Sequence, residues 1–230
     1  MKKIQVGFLV SYDYELLKNS LPRVYEESDT IILAIDKERK TWNGDSFSIN
    51  DSFFAWIKEI DILNKVSIYE DDFYVADLST MECEVRERKM LSEKMGIGNW
   101  LIQLDADEYF IDFEGFVNDI RKYDSFLDNP SKTPIQIGCF FFFFYKYTDE
   151  GILYVENLTR VLLATNLPDY KIGRKTKQRV LYTDKILLHE CLSRSEEELL
   201  FKLKNWGHNN QINPTFFEKW KAVNKDNFRD

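Results

Sequence analysis

Trp100-Leu101-Ile102-Gln103-Leu104-Asp105-Ala106-Asp107-Glu108-Tyr109-Phe110 is the stretch on which the reading of this chain turns. An apolar run of strand length stops abruptly on two aspartates one residue apart. In an extended backbone, side chains two apart point the same way. Asp105 and Asp107 are therefore placed to share one divalent cation, with Ala106 adding no bulk between them and Glu108 facing away. The plainer reading is a strand that ends in a solvated acidic turn. The rest of the chain has to decide between the two.

Upstream, strands and helices alternate. Residues 4–10 read as a strand, and residues 14–25 as a helix through Leu16, Leu17, Leu21 and Val24, interrupted near its end by Pro22. A second strand, 30–35, ends at Asp36. A helix over 51–62 carries Phe54, Trp56 and Ile57, and a third strand, 66–69, is closed by Glu70, Asp71 and Asp72. Residues 78–95 form the clearest helix, with Leu78, Met81, Val85 and Met95 on one face, ended by Gly96 and Gly98. The acidic strand follows. This order predicts an α/β fold: a Rossmann-like, mostly parallel mixed sheet with helices on both faces. Ligands of such sheets bind beyond the carboxyl ends of the strands, where Ser11, Asp36, Glu70 to Asp72, Asp105 and Asp107 all fall.

Downstream, residues 113–123 read as a helix, and 135–145, 151–156 and 185–188 as strands. Phe140 to Phe144, five phenylalanines in succession, suggest a strand buried on both faces. Ser195 and Glu198 have capping-box spacing and open a helix that Gly207 closes. Asn213 and Pro214 start the last one, completing a C-terminal helical segment. One domain over 1–230 is expected, with a nucleotide-binding half over 1–110 and an acceptor half over 111–230.

A net charge of −8 opposes general nucleic-acid binding, which needs clustered Lys and Arg to neutralise phosphates. Cys83, Cys139 and Cys191 are widely spaced and odd in number, so neither a disulfide framework nor a cysteine-rich zinc site is suggested. No stretch approaches the apolar length of a membrane span, and the first strand is too short for a signal core. A cytoplasmic location is expected, with peripheral contact at the inner membrane face left open.

Single residues carry further expectations. Arg88 falls on the sheet-facing side of its helix, where a guanidinium needs an anionic partner: Glu84, another carboxylate of the protein, or a substrate diphosphate. His189 follows an apolar run much as Asp105 does and is a candidate third metal ligand, with His208 as the second choice. Asp36 is placed either to accept from a nucleobase or ribose, or to cap its own bend. Arg174, in the basic run 174–179, belongs to a surface loop or to a phosphate site. Glu156, Asp149 and Asp169 are candidate general bases, of which Glu156 is taken as the working choice.

The strand-helix alternation, Asp36 ending the second strand and Leu104-Asp105-Ala106-Asp107-Glu108 after the fourth together resemble a family 2 type glycosyltransferase with the GT-A fold. The stretch from His189 to Glu198, followed by Lys204-Asn205-Trp206-Gly207-His208, is similar to the end of a bacterial branch of that family, so the resemblance spans most of the chain. It departs at Leu192, where a bulkier aromatic is expected, and at Asn209 and Asn210, where an acid is. The resemblance implies a nucleoside diphosphate sugar donor and a glycan or lipid-linked glycan acceptor, in surface polysaccharide synthesis, with inversion at the sugar. It implies Mn²⁺ or Mg²⁺ on Asp105 and Asp107, the base on Asp36, the nucleotide on Ser11, and Arg88 approaching the diphosphate. The competing readings are a nucleotidyltransferase acting on a nucleoside triphosphate and a non-catalytic glycan-binding or assembly protein. Ser11-Tyr12-Asp13-Tyr14 lacks the glycine and lysine usual in a nucleotidyltransferase's first loop.

Overall fold

A computed structural model describes residues 2–229. Four strands, β1 (Ile4–Leu9), β2 (Thr30–Asp36), β3 (Val66–Asp71) and β4 (Trp100–Asp105), pair in parallel in the order β3-β2-β1-β4. Between them run α1 (Leu17–Tyr25), α2 (Asp51–Ile60) and α3 (Thr80–Met95). The chain leaves β1 towards β2 and β3, then returns to pair β4 on its other side. That reversal opens a crevice beyond the carboxyl ends of β1 and β4.

Beyond β4 the sheet becomes mixed. It continues through β5 (Glu108–Phe110), α4 (Phe113–Arg121), β6 (Ile135–Thr148), β7 (Gly151–Tyr154), β8 (Thr159–Thr165) and β9 (Arg179–His189). The full order is β3-β2-β1-β4-β8-β6-β9-β5, with β7 paired to β6 off this path, which gives nine strands among the described residues. β8 lies antiparallel between β4 and β6, and β6 runs parallel to β9. The C-terminal segment holds α5 (Glu196–Asn205) and α6 (Phe216–Ala222). No described helix is long and apolar enough to cross a membrane.

Helices cover both faces. On one, Leu17, Leu21 and Val24 of α1, Phe53 and Ile57 of α2, and Phe116 and Ile120 of α4 pack on Val6, Phe8, Leu33 and Ile102. On the other, Leu91 and Met95 of α3 meet Leu9, Ile32, Ala34 and Leu101. α3 comes so close to β1 that a Cβ on Gly7 would stand 2.8 Å from Leu91 Cδ2 and 3.0 Å from Met95 Sδ. The inner face of α3 is not the expected apolar one. Cys83, Glu84, Glu87, Arg88 and Leu91 are buried, while Met81 and Val85 are only half-buried. Towards the crevice this helix presents charge, and only its C-terminal turns pack on the sheet.

Three further expectations change. β8 and β5 were not anticipated, and β9 begins six residues before the expected 185. In the phenylalanine run only Phe141 is buried; Phe140, Phe142, Phe143 and Phe144 are half-buried, and beyond Phe141 the pairing with β8 gives way to the hairpin with β7.

Candidate functional site

A cavity of about 560 Å³ occupies the crevice. The ends of β1 and β2, the charged face of α3 and the turn after β4 form one wall; Phe141, Arg160, Arg174, Tyr182 and His189 form the other. Lys202, Asn205, Trp206 and His208 of the C-terminal segment complete the rim.

The two acids after β4 turn to different partners. Asp105 Oδ1 accepts from Arg88 Nη2 at 2.8 Å, and its side chain keeps 30% exposure. Arg88 also donates through Nε to Glu84 Oε1 at 3.0 Å and is 1% exposed. It is therefore the inward guanidinium expected from the helix periodicity, paired with protein carboxylates. Glu108, completely buried, takes Arg174 as a bidentate partner, with both bonds at 2.5 Å, and accepts the Asp105 amide at 3.0 Å. Arg174 also donates to the Gln103 carbonyl at 3.0 Å. Arg174 and Glu108 thus form a clamp that fixes the acidic turn, since a planar fork on a carboxylate sets orientation as well as charge.

Asp107 is 2% exposed. Its Oδ2 accepts from Lys202 Nζ at 2.6 Å and from Arg194 Nη2 at 2.7 Å, and Oδ1 lies 3.5 Å from His189 Nε2. Arg194 also reaches Asp13 at 3.0 Å. Burial opposes the Asp107 charge, but Lys202, His189 and Arg194 outweigh it and hold the carboxyl well below its ordinary range. Burial likewise opposes a charged His189, yet Cys191 and Asp107 carry its pKa up to about 10.

The resemblance asks for Mn²⁺ or Mg²⁺ on Asp105, Asp107 and His189. That trio is not assembled: among the described residues no group of three or more His, Cys, Asp and Glu side chains is arranged to hold a metal ion. Asp105 is turned to Arg88, and Asp107 already meets two cations. A divalent ion there would face Lys202 and Arg194 at close range, a repulsion of several kcal/mol at an effective dielectric of about 20. As arranged, this donor set does not fit the ion.

Asp36 has no free lone pair to offer a base. Its Oδ1 accepts the amides of Glu38 and Lys40 and its Oδ2 those of Phe73 and Tyr74, all at 3.0 Å. The side chain sits in the cavity wall, but its bonds build two loops. Ser11 lines the cavity at the end of β1, and His208 lines the rim with Nδ1 3.2 Å from Gln211. Glu156 is exposed and lies outside the cavity, as do Asp149 and Asp169. Among the described residues the later wall carries no carboxylate. Glu190, whose pKa burial raises to about 7, does not line the cavity.

Several site residues were not foreseen. Glu87 accepts from Trp42 Nε1 at 2.6 Å, and burial raises its pKa to about 8. Thr41 Oγ1 donates to Asn205 Oδ1 at 2.5 Å, while Asn205 Nδ2 donates to Asp45 at 3.0 Å. Thr80 Oγ1 donates to Asn209 Oδ1 at 3.0 Å, and Gly207 lies so near α3 that a Cβ would meet Glu84 Oε2 at 2.1 Å. The C-terminal segment is thereby strapped across the loops at the ends of β1 and β2 and the N-terminus of α3. For Lys202 a signal existed: Leu199, Lys202 and Asn205 fall three apart and form the buried side of α5. Arg194 precedes the cap and has no periodicity to reveal it.

No family profile and no curated protein sequence matches this chain. Among solved structures, it is similar to mannose-6-phosphate isomerase from Helicobacter pylori at 15% identity and a TM-score of 0.36. The match covers 60% of this chain and 50% of that one, so the chain spans about half the length of that structure. A likeness this weak assigns neither fold family nor activity.

Proposed function

We propose that this chain transfers a sugar from a nucleoside diphosphate sugar to a hydroxyl of a glycan or lipid-linked glycan, on a GT-A type sheet. The observation that carries the reading is the cavity at the point where the strand order reverses, with Asp105 and Asp107 at the end of β4 and the cations Arg88, Arg174 and Lys202 in its wall. A crevice at this position suits a nucleotide, and buried cations suit a diphosphate. Trp42 and Glu87 lie on the nucleotide side, and Phe141 and Tyr182 offer aromatic faces on the acceptor side.

In this reaction the bond from the sugar's anomeric carbon to the β-phosphate oxygen breaks, and its electron pair leaves on the diphosphate. The acceptor oxygen bonds to that carbon, and its proton is released to solvent. Negative charge grows on the departing oxygen, so fixed positive groups favour the transition state over the bound donor. The Arg174–Glu108 clamp keeps the acidic turn rigid while this occurs, and the C-terminal strap shields the site from water.

The test is a panel of uridine, guanosine, adenosine, cytidine and thymidine diphosphate sugars, with free nucleoside diphosphate and glycosylated product read by mass spectrometry. Diphosphate release that requires an acceptor is the expected result. Pyrophosphate release from a nucleoside triphosphate would replace this reading with nucleotidyl transfer, and a protein that binds glycans but no nucleotide would be a non-catalytic module.

A further inference from the structure

We infer that Lys202 receives the negative charge of the donor's diphosphate, and that transfer at this site needs no divalent cation. The inference rests on the glycosyl-transfer reading and specifies how that site neutralises its leaving group. The place that the acid pair would give to a metal is already filled by side chains. Lys202 Nζ stands 2.6 Å from Asp107 Oδ2, with Arg194 Nη2 at 2.7 Å from the same oxygen. These side chains are 8%, 6% and 2% exposed for Lys202, Arg194 and Asp107.

An ammonium has three N–H donors, and among the described residues Asp107 is the one hydrogen-bond partner of Nζ. Lys202 lines the cavity. Arg88, which also lines the cavity, keeps Nη1 buried without a partner. Buried donors left unmade are costly, and an anion with several oxygens is the ligand chemistry that would satisfy them. Lys202 is also held firmly. It shares its helix face with Leu199 and with Asn205, which Thr41 and Asp45 pin from the opposite loop. A cation fixed in this way before the donor arrives need not reorganise when the phosphate oxygen takes up its charge.

The chemistry balances without a further reactant. The carbon–oxygen bond to the β-phosphate breaks with its electron pair on oxygen, the acceptor oxygen replaces it, and one proton leaves to solvent. Lys202 stays protonated throughout and supplies charge through hydrogen bonds alone.

Calorimetric titration of the full chain with uridine and guanosine diphosphate, and with their monophosphates, in excess EDTA and then in Mn²⁺, tests this. The expected result is diphosphate affinity in EDTA within about threefold of that in Mn²⁺. Lys202→Met should weaken the diphosphate about tenfold or more while leaving the monophosphate nearly unchanged, with Lys202→Arg restoring much of the loss. A diphosphate that binds only with Mn²⁺ or Mg²⁺ overturns the inference and leaves glycosyl transfer standing. Parent-like diphosphate binding by Lys202→Met overturns it as well. Failure of every nucleoside diphosphate to bind, with metal or without, overturns both readings. Should Lys202→Met not fold, the parent's EDTA comparison still decides.

Discussion

Asp36 and Asp107 occupy similar places in the chain, each an acid where a buried strand gives out, and each is almost inaccessible to solvent. Their partners differ in kind. Asp36 is surrounded by four backbone amides from two loops, whereas Asp107 is met by the side chains of Lys202, Arg194 and His189. Amides bonded in this way are part of the chain's path and cannot be lent to a ligand. Side-chain cations have spare donors and can share them with an incoming anion. A strand-end acid is therefore not informative about binding until its partners are known.

The contrast can be broken most sharply at Asp107. Asp107→Ala leaves Lys202 and Arg194 buried side by side without their shared carboxylate, and removing one partner of such a cluster costs about 3–5 kcal/mol. Urea unfolding should show that loss, and sugar transfer should fall about a hundredfold or more because the support of Lys202 is gone. Transfer at the parent rate would end the assignment of this site.

Asp36→Ala should behave oppositely. Four amides lose their acceptor, those of the buried Phe73 among them, at about 1–3 kcal/mol for each group that water cannot reach. Stability should drop, while nucleoside diphosphate affinity, measured below the melting range, should change by no more than about threefold. A large loss of affinity with stability intact would return Asp36 to the binding residues.

Glu87 gives the smallest and most selective effect. Unfolded, its carboxyl titrates near 4.5; buried beside Trp42, it keeps its proton to about 8. Between these values unfolding releases a proton, so the contribution is complete below pH 4.5 and is lost as pH rises through 8. Glu87→Gln should match the parent in melting temperature at pH 5 and exceed it by a few degrees at pH 9. Parallel melting curves for the two proteins across that range would show that Glu87 is ionised in the fold.

Much of the first half was legible because a parallel sheet writes long apolar runs separated by amphipathic helices. Residues 4–10, 30–35 and 100–104 needed nothing beyond hydropathy. β8 was missed although Val161, Leu162 and Leu163 are apolar and Asn157, Asn166 and Pro168 flank the segment, since the apolar run is short and its partners in β4 and β6 lie far away in sequence. The inward Arg88 was visible because helical spacing singled it out. The same spacing would have exposed Lys202 beside Leu199, but a lysine in a helix with three glutamates in its first turn looks like surface charge. The face of α3 was misread for the complementary reason. Periodicity arguments take the inner side of a helix to be oily, and here a cavity replaces oil with ion pairs.

The strap from Arg194 to Asn209 has a consequence for biosynthesis. The parallel half of the sheet can form while the ribosome is still elongating the chain, as early-emerging segments generally do, but Asp107 obtains Arg194 and Lys202 only once residues 194–202 have emerged. Until then, of its three cationic partners, it has only His189. Nascent protein would thus hold most of its architecture before its crevice is closed, and a stop codon just upstream of Arg194 would leave Asp107 without Arg194 and Lys202.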